Sequence, residues 1–348
     1  MSRSDWTPLI PWYRRFRRDL PFRDNPTPYR VWISEIMLQQ TRVETMVPYY
    51  HRFLHRFPDV HDLAKAPLES VLTLWSGLGY YRRARLLHSA AQIVSQEHNG
   101  KLPANRKELL ALPGIGPYTA GAILSIAFNQ PEPILDGNVI RVLTRVLGLG
   151  GDPAGAALRN ELWSFARTIV PQEDPGDFNQ GLMELGATLC SVHNPRCSTC
   201  PLRASCRAFR SGNPESFPQS KPGRETVHVS TVALVVTHAG RILLVQRDDP
   251  SWMTGLWEFP TWTVHSHEDM QSWISQNAPP DLGFKLSNPK HLGIIKHSVT
   301  HHQFTCCALQ AQRVGGGRMR HENRRWVNPK SMGEMPLAAS ARKISSLL

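Results

Sequence analysis

Apolar positions recur at three- and four-residue intervals through most of the first two hundred positions, a pattern that predicts a run of amphipathic helices. Trp6, Leu9, Ile10, Tyr13 and Phe16 mark a first helix within 5–18, with Arg14, Arg15, Arg17 and Arg18 set around them. Further helices are expected over Tyr29–Gln39, Thr41–Phe57, Leu68–Ser76 and Tyr80–Ser95. Asn105 and Glu108 have capping-box spacing before Leu109-Leu110-Ala111, and Pro113 stops that short helix. Gly114 and Gly116 then allow a tight turn before Tyr118–Phe128 resumes the period. Val139, Val142, Leu143, Val146 and Leu147 trace another helix, followed by Ala156–Val170 and Phe178–Leu189.

The texture changes after residues 211–226, a linker rich in Pro, Ser and Gly. Thr231–Thr237 and Arg241–Gln246 read as strands joined at His238-Ala239-Gly240, a hairpin signal. Leu292–Val299 and Gln303–Ala308 are also strand-like, and a last helix is expected from Ala338. The chain is therefore expected to be multidomain, with an all-α region over 1–210 and an α+β domain over 227–348.

A length of 348 residues suits two domains, each with its own core. The net charge of +12 favours a polyanionic partner, nucleic acid ahead of a membrane surface, although a basic surface alone would give the same number. No apolar run has membrane-spanning length, and the opening residues MSRSDWTPLIPWYRRFRR lack the apolar core of a signal peptide. A cytoplasmic protein is expected, without membrane attachment, and its six cysteines are then poor candidates for structural disulfides.

Four of those cysteines, Cys190, Cys197, Cys200 and Cys206, fall within 17 residues in a C-x6-C-x2-C-x5-C pattern. Such spacing in a reducing compartment points to structural zinc or an iron–sulfur cluster. A zinc ribbon has two C-x2-C knuckles where this loop has one, which leans toward [4Fe–4S]. Arg196, Arg203, Arg207 and Arg210 surround them without an acidic residue, suiting the charge of bound thiolates or DNA phosphates. Cys306 and Cys307 have no ligand spacing and read as one core and one surface thiol, and His297, His301 and His302 read as unmetallated.

Four other features carry candidate chemistry. On the wheel of 29–39, Glu35 falls between Trp32, Ile33, Ile36 and Met37 on one side and Val31 and Leu38 on the other. Burial there would raise its pKa and leave it able to hold a proton near neutrality; an exposed helical glutamate is the plainer alternative. The Gly114-Ile115-Gly116 turn can offer bare backbone N–H groups to a phosphate or simply connect two helices. Asp136 has the position of an ordinary N-cap. Gly77-Leu78-Gly79-Tyr80-Tyr81-Arg82-Arg83 could present tyrosine to a base stack, or pack its tyrosines in the core.

Taken together, residues 34–50, 77–85, 112–123, 134–143, 178–190 and the four-cysteine loop make the chain resemble the helix-hairpin-helix DNA glycosylases with an iron–sulfur loop, and within them the adenine-removing branch. The resemblance covers nearly the whole chain. It implies a six-helix barrel over about 23–130, an iron–sulfur subdomain from 1–22 plus 131–210 holding one [4Fe–4S] cluster on the four cysteines, and a Nudix-like lesion-recognition domain over 227–348. It implies that Glu35 protonates adenine N7, that Asp136 stabilises the positive sugar, and that Tyr118 and Asn138 support them. Arg23 and Gln180 would line the adenine pocket. Gln40, Thr41, Leu78 and Tyr80 would enter the base stack, and Gly114 and Gly116 would hold a phosphate.

The implied partner is double-stranded DNA with adenine opposite 8-oxoguanine or guanine, bound by a monomer associated with the nucleoid, with any clamp or repair partner unidentified. Relatives that also cleave the strand carry a lysine just after the hairpin; Tyr118 stands there, implying a monofunctional enzyme that leaves an abasic site. After Gly255-Leu256-Trp257-Glu258-Phe259-Pro260 no glutamate set of a Nudix hydrolase follows, so the second domain is expected to recognise rather than hydrolyse. Where the family reads the lesion with Phe-Ser-His, this chain has Val299-Thr300-His301, so Thr300 and His301 are the candidate readers. The competing expectations are a glycosylase of the same fold for thymine in G·T mismatches or oxidised pyrimidines, and a mismatch-binding protein without catalysis. The Glu35 and Asp136 pair disfavours the last, because binding alone has no use for it.

Overall fold

Helices follow one another from Leu9 to Arg210, and strands from Val227 onward. The computed structural model describes residues 3–219, 225–248, 253–265, 269–317 and 323–348. Residues 220–224 of the expected linker, and 266–268 of the stretch where a hydrolase motif was sought, lie outside them. In chain order the helices are α1 (Leu9–Phe16), α2 (Pro28–Leu38), α3 (Val43–Arg56), α4 (Val60–Lys65), α5 (Leu68–Trp75), α6 (Arg82–Glu97), α7 (Arg106–Ala111), α8 (Pro117–Phe128), α9 (Gly137–Leu147), α10 (Ala156–Ile169), α11 (Pro175–Thr188) and the single turn α12 (Arg207–Arg210). Two compact units result: Met1–Lys65 with Leu86–Pro222, and Ala66–Arg85 with Gly223–Leu348.

In the first unit α9 supplies much of the core. Val139, Val142, Leu143 and Val146 are each at most 3% exposed and pack with Leu162, Leu182 and Leu185 from α10 and α11. Close approach is bought with glycine. A Cβ on Gly186 of α11 would lie 2.6 Å from the Cβ of Asn138, and one on Gly121 of α8 would lie 2.1 Å from the carbonyl oxygen of Pro133. These contacts set the chain just before and after Asp136. Asn105 caps α7 by accepting the Glu108 N–H at 2.9 Å, as its spacing suggested. The first helix is shorter than its periodicity implied. A 3-10 turn occupies Arg3–Trp6, Pro8 precedes α1, and Phe16 is 58% exposed rather than part of the core.

In the second unit, β1 (Val227–His238), β2 (Arg241–Gln246), β3 (Trp257–Glu258), β4 (Thr261–Thr263), β5 (Phe284–Leu286), β6 (Lys290–Val299), β7 (His302–Gly316) and β8 (Arg324–Val327) build a mixed sheet. Its main path runs β3-β2-β1-β7-β5, with β4 on β1, β6 on β7 and β8 on β2. β1 and β7 pair in parallel over eleven positions, from Val227↔His302 to Thr237↔Gln312. Val232–Val236 is a continuous buried run, as expected of a central strand covered on both faces. Helix α13 (Met270–Leu282) packs Ile274, Ala278 and Leu282 on one face, and α14 (Ala339–Ser345) follows Ala338. Ala239 and Gly240 both take positive φ, the backbone of a two-residue hairpin turn. Cys306 is buried and Cys307 partly exposed.

Gly121→Ala should lower stability by about 2 kcal/mol or more, because the new methyl meets backbone that cannot retreat like a side chain. Thermal unfolding followed by circular dichroism measures it, and a Tm equal to the parent's would contradict this packing.

Candidate active site

Helix α2 starts from Thr27, whose hydroxyl accepts the Arg30 N–H at 3.3 Å, with Pro28 at the first helical position. Every residue from Tyr29 to Met37 except Arg30 is buried, so the helix is enclosed all round and carries Glu35 with it. Glu35 is 5% exposed. Burial pushes its carboxyl up to about 7, against the Tyr118 hydroxyl, which donates to Oε2 at 2.5 Å and favours the ionised form. That tyrosine, near the start of α8, also lies 3.1 Å from the Met183 sulfur.

Asp136 does two things at once. As the N-cap of α9 it accepts the Val139 N–H on Oδ1 at 2.7 Å, while Oδ2 accepts from Asn138 Nδ2 at 3.0 Å. Burial raises its carboxyl, and the Val139 N–H, the Asn138 amide and the Arg141 charge oppose that rise. Arg141 in turn donates to Asn138 Oδ1 and to the Gly186 carbonyl, each at 2.8 Å, and through Nε to the Cys190 carbonyl at 2.7 Å. The two carboxylates thus sit in different settings, one in apolar surroundings and one on a helix N-terminus.

Both face a cavity of about 670 Å³, also lined by Tyr118, Asn138, Arg23, Gln180, Gln40 and Thr41. Beside it, Gly114, Gly116 and Tyr118 line a recess of about 300 Å³ with Arg159 and Trp163. Gly114 takes φ +79, and a Cβ there would approach that of Leu86 at 2.9 Å.

Cys190, Cys197, Cys200 and Cys206 line one small cavity, together with Arg145, Arg196 and Arg203. Among the described residues no three His, Cys, Asp or Glu side chains come close enough to hold a single metal ion. Four thiols lining one cavity, with no carboxylate or imidazole among its described lining residues, are a donor set that fits an iron–sulfur cluster or a zinc ion. Arg145, 2% exposed, donates to Cys190 Sγ at 3.3 Å and to the carbonyls of Ser191, Val192 and Phe217. Nothing in the sequence pattern had singled it out. Of the loop arginines, Arg196 binds the Thr188 carbonyl and Arg207 that of Leu147, so these two brace the loop itself.

Residues 33–168 match the family model of the HhH-GPD superfamily base excision DNA repair proteins, and 231–347 match the NUDIX domain. The adenine DNA glycosylase of Mus musculus is 37% identical, over 85% of this chain and 68% of its own length. That of Buchnera aphidicola subsp. Baizongia pistaciae is also 37% identical, over 84% and 82%. This chain belongs to the adenine DNA glycosylase family. The solved structure of a thermostable thymine-DNA glycosylase, 30% identical, superposes with a TM-score of 0.54 over 59% of this chain and 95% of its own. The helical scaffold is therefore shared with a protein named for a different base.

Eight of the residues expected at this glycosylase's site line the large cavity of the first unit, and the hairpin glycines line the recess next to it. The remaining four belong to the second unit. Leu78 is 6% exposed and Tyr80 47%, with φ +48. Thr300 takes φ +53 at the exposed turn between β6 and β7, its hydroxyl 3.3 Å from His301 Nδ1. Among the cavity residues that sequence reasoning missed is a carboxylate. Glu184, whose side chain is fully buried, accepts from Arg18 at 2.8 and 3.0 Å and from Arg23 at 2.7 Å. Burial alone would raise its carboxyl, but those arginines outweigh it and hold the group below the ordinary carboxylate range. Its position one helical turn after Gln180 was the available signal.

The Glu35 carboxyl titrates near the ordinary 4.5 when unfolded and at about 7 when folded, so stability falls as pH rises between these values. Glu35→Gln removes that loss. Its Tm should match the parent's near pH 4.5 and exceed it at pH 8, by the equivalent of about 3 kcal/mol at most. A variant no more stable than the parent at pH 8 would place the carboxylate in water.

Proposed function

We propose that this family member extrudes adenine from duplex DNA into the large cavity and hydrolyses its N-glycosidic bond. Support comes chiefly from one observation: a carboxyl with its pKa raised to about 7 by burial faces the same cavity as a capped, hydrogen-bonded aspartate. Adenine leaves poorly as an anion. Glu35 gives its proton to N7, the bond electrons go to the base, and neutral adenine departs. The sugar left behind is oxocarbenium-like, and ionised Asp136 opposes its charge, with Asn138 and Tyr118 orienting the two acids. Water adds at C1′ and its proton returns to Glu35, leaving an abasic site. Position 118 holds no amine that could form a Schiff base, so the strand stays intact.

Arg23 and Gln180 bound the base, and Gly114 and Gly116 offer backbone N–H groups to a phosphate beside the extruded nucleotide. The opposite base is read by the NUDIX-type domain, with the Thr300 hydroxyl and His301 facing 8-oxoguanine in preference to guanine. Cys190, Cys197, Cys200 and Cys206 hold one [4Fe–4S] cluster, whose anionic charge the Arg145 guanidinium offsets at Cys190. When bound, the cluster ties the loop after α11 into one piece.

Single-turnover base release from duplexes with adenine opposite 8-oxoguanine, guanine or thymine tests the reaction. Glu35→Gln should slow release by about a thousandfold, and Asp136→Asn by at least about a hundredfold. In the parent, release should decline as pH rises through 7, where Glu35 loses its proton. Thr300→Ala should narrow the preference for 8-oxoguanine over guanine by about three- to tenfold. Full-speed release by either carboxamide variant ends the proposal. The purified protein should be brown, with about four iron atoms per chain; a colourless protein with one zinc would replace the cluster by a single ion.

A further inference from the structure

Residues 66–85 place the turn Gly77-Leu78-Gly79-Tyr80 in the same compact unit as the C-terminal fold. Gly77, Gly79 and Tyr80 have φ of 111°, 73° and 48°, and a tyrosine enters that region only when its surroundings hold it there. Arg83, 8% exposed, is the main support. Its Nη2 donates to the Gly79 carbonyl at 3.1 Å, and its guanidinium lies 5.6 Å from the Tyr80 ring centroid and 5.4 Å from that of Trp75. Trp75 Nε1 donates to the same Gly79 carbonyl at 3.2 Å, and the Tyr81 hydroxyl accepts the Gly77 N–H at 3.1 Å. So braced, Tyr80 remains 47% exposed.

The foot of this turn is fastened to the C-terminal fold by groups some two hundred residues away, two backbone carbonyls and the Trp257 side chain. The Ser76 hydroxyl, on a residue 2% exposed, donates to the Leu337 carbonyl at 2.8 Å. Trp257 Nε1 donates to Glu69 Oε1 at 3.1 Å, and Arg325 covers the Trp257 ring at 4.6 Å. Arg85 donates to the Thr254 carbonyl. Both ends of α5, and the first turn of α6, are thus attached to the fold that carries Thr300. A buried hydroxyl and an indole N–H have few alternative partners, so these bonds fix position more than they add strength.

We propose that Glu69, Ser76 and Trp257 are positioning residues through which the C-terminal fold holds Tyr80 ready to enter the base stack, so that lesion reader and stacking tyrosine move as one body. The inference rests on the reading of Tyr80 as the stacking side chain. It assigns the seam an effect on extrusion and none on the chemistry at Glu35.

A double-mutant cycle on the full-length protein tests this. Extrusion is read by fluorescence of 2-aminopurine at the target position, and chemistry by single-turnover adenine release. Ser76→Ala combined with Trp257→Phe should lower both signals about five- to tenfold, with the midpoint of the pH–rate profile unchanged. Glu69→Ala removes a half-exposed side chain and should act in the same direction, which keeps the test open if Trp257→Phe folds poorly. Added to Tyr80→Ala, these changes should cost nothing more, because they act through that ring. Seam variants that extrude at parental levels, or whose losses multiply with that of Tyr80→Ala, overturn the seam while leaving the tyrosine's role intact. If Tyr80→Ala itself changes nothing, the stacking reading falls and the inference falls with it.

Discussion

The free-energy cost of burying a charge at position 35 organises much of the first unit. The Glu35 carboxyl is nearly withdrawn from solvent on a helix whose residues are mostly buried, and the Tyr118 hydroxyl bonded to it only partly offsets that withdrawal. Proton affinity near 7 is therefore a property of packing. The tight glycine contact on α8 helps keep that packing closed, since α8 also carries Tyr118. A looser interior would admit water and return the carboxyl toward its ordinary value.

The second carboxylate depends on the opposite strategy. Asp136 is half-buried and surrounded by donors: a helix N-terminus, an asparagine amide and, through Asn138, the guanidinium of Arg141. Arg141 reaches on to the carbonyl of Cys190, so the orientation of Asp136 and the first residue of the cysteine loop share one hydrogen-bonded chain. Burial raises both carboxyls, but at Asp136 a helix N-terminus, an amide and a guanidinium oppose the rise, where Glu35 has chiefly the Tyr118 hydroxyl. Neighbouring elements make the difference.

How much of this the sequence disclosed follows from the range of each interaction. The Glu35 environment was legible because an eleven-residue helix reports its own faces. Asp136 was legible as a cap, and the cysteines by spacing, because both are local patterns. Glu184 was not, because its partners Arg18 and Arg23 lie about 160 residues away and a glutamate on a helix reads as solvated until they are seen. Arg145 was hidden for the same reason: on the wheel it interrupts an apolar face, and the carbonyls that justify it come from 191, 192 and 217. The expected helix from Tyr80 begins at Arg82 instead, since the positive φ of Tyr80 is imposed by Arg83 and Trp75 rather than by propensity. Phe16 failed in the other direction, its apolar character promising a burial that the short α1 does not provide.

The shared helical scaffold with a thymine-DNA glycosylase sharpens where base choice must reside. Backbone architecture cannot select a purine, because a related backbone serves a protein named for a pyrimidine. A base ring presents its identity through a few donors and acceptors, and discrimination is strongest where a buried polar group would be left unpaired by the wrong one. Arg23, Gln180 and Glu184 line the cavity, and the Arg18 and Arg23 pairings hold the Glu184 carboxylate in place. In the proposed reaction, acid strength at Glu35 adds to the selection. A proton held at about 7 assists a base that must be protonated on its ring nitrogen to depart, and gives less help to one whose leaving group is already a stable anion.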